Sequence, residues 1–194
     1  MNKLKIYTYL TLVLAIGLGV FLVSRIKYSI DEEARISTAE SLIIDNLKII
    51  RDAQITFQSV KGSYTSDWDS LINFVENGKI FIVQRREETV LLDYGAEETT
   101  LYLDTLGSIS VLDSVFSQYK SFNPISMKFV PGYDNVIFEM WAAQIEKGGV
   151  SVNVVEVRNP KPVDSDRKES NEANINKPLR FGSRTSITTA GNWE

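Results

Sequence analysis

Serine and lysine are the surviving pair in this chain with the residue types and spacing for covalent chemistry. The sequence contains neither histidine nor cysteine. Imidazole-based triads, thiolate nucleophiles and nearly every zinc or haem site are thereby removed. In a serine–lysine dyad a neutral lysine takes the proton of a serine hydroxyl, and the spacing S-x-x-K occurs at Ser24/Lys27, Ser117/Lys120 and Ser165/Lys168. The first pair abuts an apolar run, the last sits in a polar run, and no S-D-N or K-T-G element follows the middle one. Asp164, Asp166 and Glu169 resemble half a calcium loop but lack its glycine and ligand spacing, and read as solvated charge. Asp67 and Asp69 fall in the first turn of a predicted helix, where capping and the macrodipole account for both. The expectation is a non-enzymatic protein, with no catalytic residue, cofactor, metal or small-molecule substrate.

The elements that would position any site begin with an uncharged apolar run at residues 6–24, IYTYLTLVLAIGLGVFLVS. About 19 helical residues span roughly 28 Å, the thickness of a bilayer's hydrocarbon layer. No A-x-A-like cleavage site follows, and Arg25 and Lys27 flank the run as in a stop, so it reads as a retained anchor. Lys3 and Lys5 on one side nearly balance Arg25 and Lys27 on the other. The basic start before a first hydrophobic segment places the N-terminus inside, and Asp31, Glu32 and Glu33 cross. The net charge is −4, with four of the basic residues beside the apolar run, so the remainder is more acidic still and nucleic acid is not expected as a partner. Without cysteine there is no lipid attachment through a thiol and no disulfide framework.

Beyond the run, Ile36, Ile43, Ile50 and Phe57 recur every seven residues, flanked by Ala39, Leu42, Leu47, Ile49, Ala53 and Val60. Glu40, Asp45, Lys48, Asp52 and Gln58 occupy the other face, which predicts an amphipathic helix whose stripe requires cover. That cover is either the chain's own β domain or the helix of a neighbouring copy. Gly62 ends the helix as a left-handed cap.

A short second helix follows, opened by Ser66 with Asp69 and stopped at Asn77-Gly78. Tyr64, Trp68 and Phe74 are expected to pack it against the sheet and the stalk around Ile50 and Phe57. Period-two patterning then predicts strands at 79–84, 89–92, 99–104, 108–112, 127–130, 136–145 and 150–157. Turn signals at Tyr94-Gly95, Leu106-Gly107, Asn123-Pro124, Pro131-Gly132 and Gly148-Gly149 separate them. Pro160 and Pro162 open a run too poor in apolar residues to fold by itself. A last strand at 179–183 precedes a tail in which Trp193 either closes the sheet or contacts a partner. The expected organisation is a cytoplasmic start (1–5), a transmembrane helix (6–24), a stalk helix (25–61), an α+β domain with a mostly antiparallel sheet (62–157), a polar loop or linker (158–177) and a C-terminal strand and tail (178–194).

This order of parts, with Asn46-Leu47-Lys48, Arg51, Gly62, Tyr64 and Leu71 at matching places, resembles the type IV pilins and type II secretion pseudopilins over roughly the first 80 residues. It lacks their peptidase site and the glutamate five residues into the apolar helix. The stretches LKIIRDAQITF, GSYTSDWDSLINFVENGKIFIV, DTLGSISVLDSVF and AGNWE resemble a family of single-pass envelope proteins from Bacteroidota. That likeness implies an inner-membrane anchor with a periplasmic domain and brings no activity with it. Two expectations follow. One is a pseudopilin-like structural subunit of a secretion or pilus-like envelope machine, self-associating through Ile36, Ile43, Ile50 and Phe57. The other is a membrane scaffold that binds other envelope proteins through its β domain and the tail at Trp193.

Overall fold

In the computed structural model, residues 3–91, 95, 97–119, 122–164 and 177–194 are described. The first element is a single helix, α1 (Lys3–Lys61), of 59 residues. At 1.5 Å per residue it is about 88 Å long. It contains no proline, the residue that would remove a backbone donor and kink it. Its first half is long and apolar enough to cross a membrane, and the described side chains from Tyr7 to Ile30 are exposed. From Ile43 the environment inverts. Ile43, Leu47, Ile50, Ala53 and Gln54 are fully buried, three and four residues apart on one face. Gly62 closes the helix at φ 83°, and its N–H donates to the Gln58 carbonyl at 2.8 Å. This is the left-handed cap expected there.

The second helix, α2 (Trp68–Asn77), is capped by Asp67 rather than by the Ser66 predicted. The Asp67 carboxylate accepts from the Ser70 N–H at 2.9 Å and from its hydroxyl at 2.6 Å. An aspartate three residues before that N–H has the reach for it, and Asp69 is left exposed in the first turn. Leu71, Ile72, Phe74 and Val75 form the buried face of α2.

Residues 79–110 depart from the expectation of four short strands. They form two long ones, β1 (Lys79–Leu91) and β2 (Glu97–Ser110), paired antiparallel along their whole length. Leu106-Gly107 is no turn. The register steps from Ile82 opposite Gly107 to Val83 opposite Thr105, so Leu106 is the extra residue of a β-bulge. The predicted strand at 108–112 is cut at Ser110 by α3 (Val111–Val115), which buries Val111. Of the predicted strand at 127–130, Met127 and Lys128 belong to a 3-10 turn (Pro124–Lys128) and Phe129 makes only an isolated antiparallel bridge to Ile137. Pro124 suits a first helical position, and the Asn123 side chain accepts from the Ile125 N–H.

The remaining strands, β3 (Glu139–Lys147), β4 (Val150–Arg158) and β5 (Arg180–Gly182), form an antiparallel sheet in the order β3-β4-β5. The β3–β4 connection is the Gly148-Gly149 turn predicted, with φ 62° and 78°, a pairing glycine supplies without strain. The chain is therefore α+β: a long apolar N-terminal helix, a short helix, then antiparallel sheets. One core joins the second half of α1, α2, α3, β4 and β5 through Ile50, Leu71, Val111, Val155 and Phe181.

Candidate interaction surfaces

The residues singled out for chemistry do not converge. Ser24 and Lys27 are exposed on α1, and Ser117 is exposed after α3. Lys120, Ser165, Asp166, Lys168 and Glu169 lie outside the described residues. Asp164 lines a shallow open depression with Arg25, Tyr28, Glu32 and Glu33. Among the described residues no three acidic or other metal-binding side chains are placed to hold a metal ion. The titration shifts have structural causes. The Ser70 hydroxyl and N–H hold Asp67 below the usual carboxylate range, the Arg35 guanidinium does the same to Glu32, and burial raises Asp52 and the Tyr64 phenol.

The seven-residue stripe divides by depth. Ile43 and Ile50 are fully covered by the chain's own domain, whereas Ile36 is half-buried. Phe57 meets Phe74 edge-on, ring centroids 5.1 Å apart. Trp68 packs against the core, and its indole N–H donates to the Phe138 carbonyl at 3.2 Å. Of the two covers considered for the stripe, the chain's own domain is the one present at Ile43, Ile50 and Phe57.

The junction depends on a residue that periodicity does not reveal. Gln54 is fully buried; its amide N–H donates to the Thr65 carbonyl at 2.7 Å, and its carbonyl accepts from the Thr65 N–H at 3.2 Å. Asn153 donates to the Gly62 carbonyl at 2.7 Å. The loop between α1 and α2 is thus tied to the helix before it and to β4.

The tail closes on the head. Gly191 bridges Phe181, Trp193 packs half-buried against the core, and Arg51 donates to Glu194 at 2.6 Å. That guanidinium holds the Glu194 carboxyl below its usual range.

No family model, curated protein or solved structure matches this chain.

Its own geometry therefore supplies the functional reading, and the exposed β1–β2 ribbon is the surface that pattern reading missed. Phe81, Val83, Leu91, Leu101, Leu103 and Leu106 are all exposed. The apolar runs 80–83 and 101–103 were the available signal for two strands; their full length and the register that aligns them were not.

Proposed function

We propose that this chain is a non-enzymatic, single-pass membrane protein serving as a structural subunit of an envelope assembly of pseudopilin-like architecture. Its N-terminus is cytoplasmic and its α+β head lies in the periplasm of a Gram-negative cell. The observation carrying this reading is the continuity of α1: one proline-free helix is apolar and exposed at one end and forms the core of the head at the other. Such a helix acts as both anchor and stalk. Its exposed apolar half offers an uncovered surface to lipid and to neighbouring helices. Lys3 and Lys5 ahead of it support the N-inside orientation.

A scaffold that binds other envelope proteins is the second reading. It is favoured by β3, which pairs only with β4 among the described residues and leaves its outer edge open. Docking of Trp193 and Glu194 on the head points that reading to the sheet edge rather than to the tail.

The test uses the full chain in cell membranes. It should stay in the membrane pellet after alkaline carbonate extraction, and a periplasm-dependent reporter fused after Glu194 should be active. Single cysteines at Ile26 and Ile36 should crosslink between copies, while those at Ile43 and Ile50 should not. Release by carbonate overturns the anchor. Monomers at both Ile26 and Ile36 overturn the assembling subunit and leave the scaffold.

A further inference from the structure

The direction of β3 can be read against α1. Climbing the helix away from the anchor, Asn46 donates to the Phe129 carbonyl, Gln54 donates to the Met140 sulfur, and the Gly62 carbonyl accepts from Asn153. Phe129 bridges Ile137, and Asn153 stands opposite Gln144. The three levels on α1 thus meet Ile137, Met140 and Gln144 in that order. From Asn46 to Gly62 the helix rises about 24 Å, and from Ile137 to Gln144 an extended chain also rises about 24 Å. β3 runs beside α1 and in its direction, away from the anchor.

Backbone groups alternate sides along a strand. The Val155 carbonyl accepts from the Ser183 N–H and the Asn159 N–H donates to the Leu179 carbonyl, both on the β5 side. Val154, Glu156 and Arg158 therefore face β3, where they lie opposite Ala143, Trp141 and Glu139. The N–H and C=O groups of Met140, Ala142, Gln144 and Glu146 are left pointing outward, and among the described residues nothing bonds to them. The outer side is closed only below them, where the Phe138 N–H donates to the Lys128 carbonyl and the Phe138 carbonyl accepts the Trp68 indole. The devices that usually blunt an edge are missing. β3 has no proline, glycine or bulge, and Trp141 to Ile145 carry no charge.

Charge and the anchor together identify the occupant. In one membrane two copies hold α1 side by side, so their β3 strands run parallel and at one height. Glu139 would meet Glu139, Glu146 would meet Glu146 and Lys147 would meet Lys147, which opposes the pairing. The β5 edge of a second copy is taken by its own tail, through Gly182 to Ala190 and Asn192 to Arg180. A segment running back towards the membrane meets no such conflict. Centred on Ala143, it sets its N-terminal end over Lys147 and its C-terminal end over Glu139, a carboxylate that Arg158 engages at one oxygen. Trp141 and Ile145 lie between them on the same face. We propose that β3 takes, from Met140 to Glu146, an antiparallel extended segment of another envelope protein. That segment is acidic at its N-terminal end, apolar opposite Trp141 and Ile145, and basic at its C-terminal end. The inference rests on the anchored scaffold reading above.

A capped, fluorescent peptide of this chain's own residues 139–147 has that pattern and no anchor to forbid the antiparallel approach. It should bind saturably to purified full-length protein in phosphatidylcholine and phosphatidylglycerol vesicles. N-methylation of the peptide at Ala142 and Gln144 removes N–H groups aimed at β3 and should weaken binding about tenfold or more. N-methylation at Ala143, whose N–H points the other way, should change it little. Exchanging the glutamate and lysine at the peptide's two ends should weaken it several-fold. In the chain, Gln144→Pro removes an outward N–H without touching a β3–β4 bond and should abolish binding, while Gln144→Thr should keep it. The chain has no cysteine of its own, so Gln144→Cys can carry a benzophenone, which should photocrosslink to the peptide and not to a second copy. No saturable binding, or equal binding of the doubly methylated peptide or by Gln144→Pro, overturns the inference and leaves a scaffold that binds elsewhere on the head. A crosslinked dimer gives the edge to a copy of this chain and overturns the inference and the scaffold reading together. A chain that fails to associate with vesicles overturns the anchor and the inference with it.

Discussion

Gln54 and Thr65 meet as two β-strand residues would, the side-chain amide of one satisfying both the backbone N–H and the carbonyl of the other. The partnership turns the end of a helix into the support of the loop that leaves it. Gln54→Leu keeps the volume and removes the partner of both half-buried Thr65 backbone groups. It should lower head stability by about 2–3 kcal/mol, read as a reduced midpoint in denaturant melts of the detergent-solubilised full chain. An unchanged midpoint would mean that the loop holds itself.

The Phe57–Phe74 contact and the Trp68 indole bond weld α2 to α1 and to the strand entering β3. Phe57→Ala and Trp68→Ala should each cost about 2–4 kcal/mol, below the full range for a completely enclosed ring because both are half-exposed. Lys48, in an exposed pair with Asp45, should cost under about 0.5 kcal/mol on replacement by alanine. The same melts rank all three. A neutral Trp68→Ala would place that ring on a partner rather than in the weld.

Gly182 has φ 78°, and a Cβ built there would lie 2.0 Å from the Val155 carbonyl oxygen. Backbone cannot yield as a flexible side chain can. Gly182→Ala should therefore destabilise the head by about 2–4 kcal/mol and free the tail, since the Gly182 N–H donates to the Ala190 carbonyl. Limited proteolysis should cut the variant after Arg180, which lies within β5 in the intact chain.

Acid should undock the tail in a defined direction. Arg51 depresses the folded-state value of Glu194. The contribution of this pair is complete above the ordinary glutamate range and is lost as pH falls through the depressed value. The Trp193 indole resonance should shift across that acidic window, and in Arg51→Leu the shift should move up towards the ordinary range. A pH-independent resonance would show that Trp193 alone holds the tail.

What could be read in advance was whatever leaves a local mark. The α1 helix has its apolar run and stripe, Gly62 and Gly148-Gly149 have no side chain to forbid their φ, and α2 stops at Asn77. The errors share one cause. A strand that leans on a core must alternate, but the β1–β2 ribbon projects from the core, so Gln84-Arg85-Arg86-Glu87-Glu88 continues a strand where the pattern reads as a break. At Leu106-Gly107 a bulge uses the residues a turn would use. Met127 and Val130 are buried as a strand's residues would be, but Asn123 and Pro124 had already set a 3-10 turn. The dependence of Gln54 on Thr65, eleven residues away across the cap, has no periodic signature.

An unbroken α1 makes the azimuth of the head a matter of counting. Each residue between the anchor and Ile43 turns everything beyond it by about 100° and lifts it by about 1.5 Å. A stalk with a hinge would average such differences away, but a straight rod transmits them undiminished. The compass bearing of the head is written into the number of residues that separate Ser24 from Ile43.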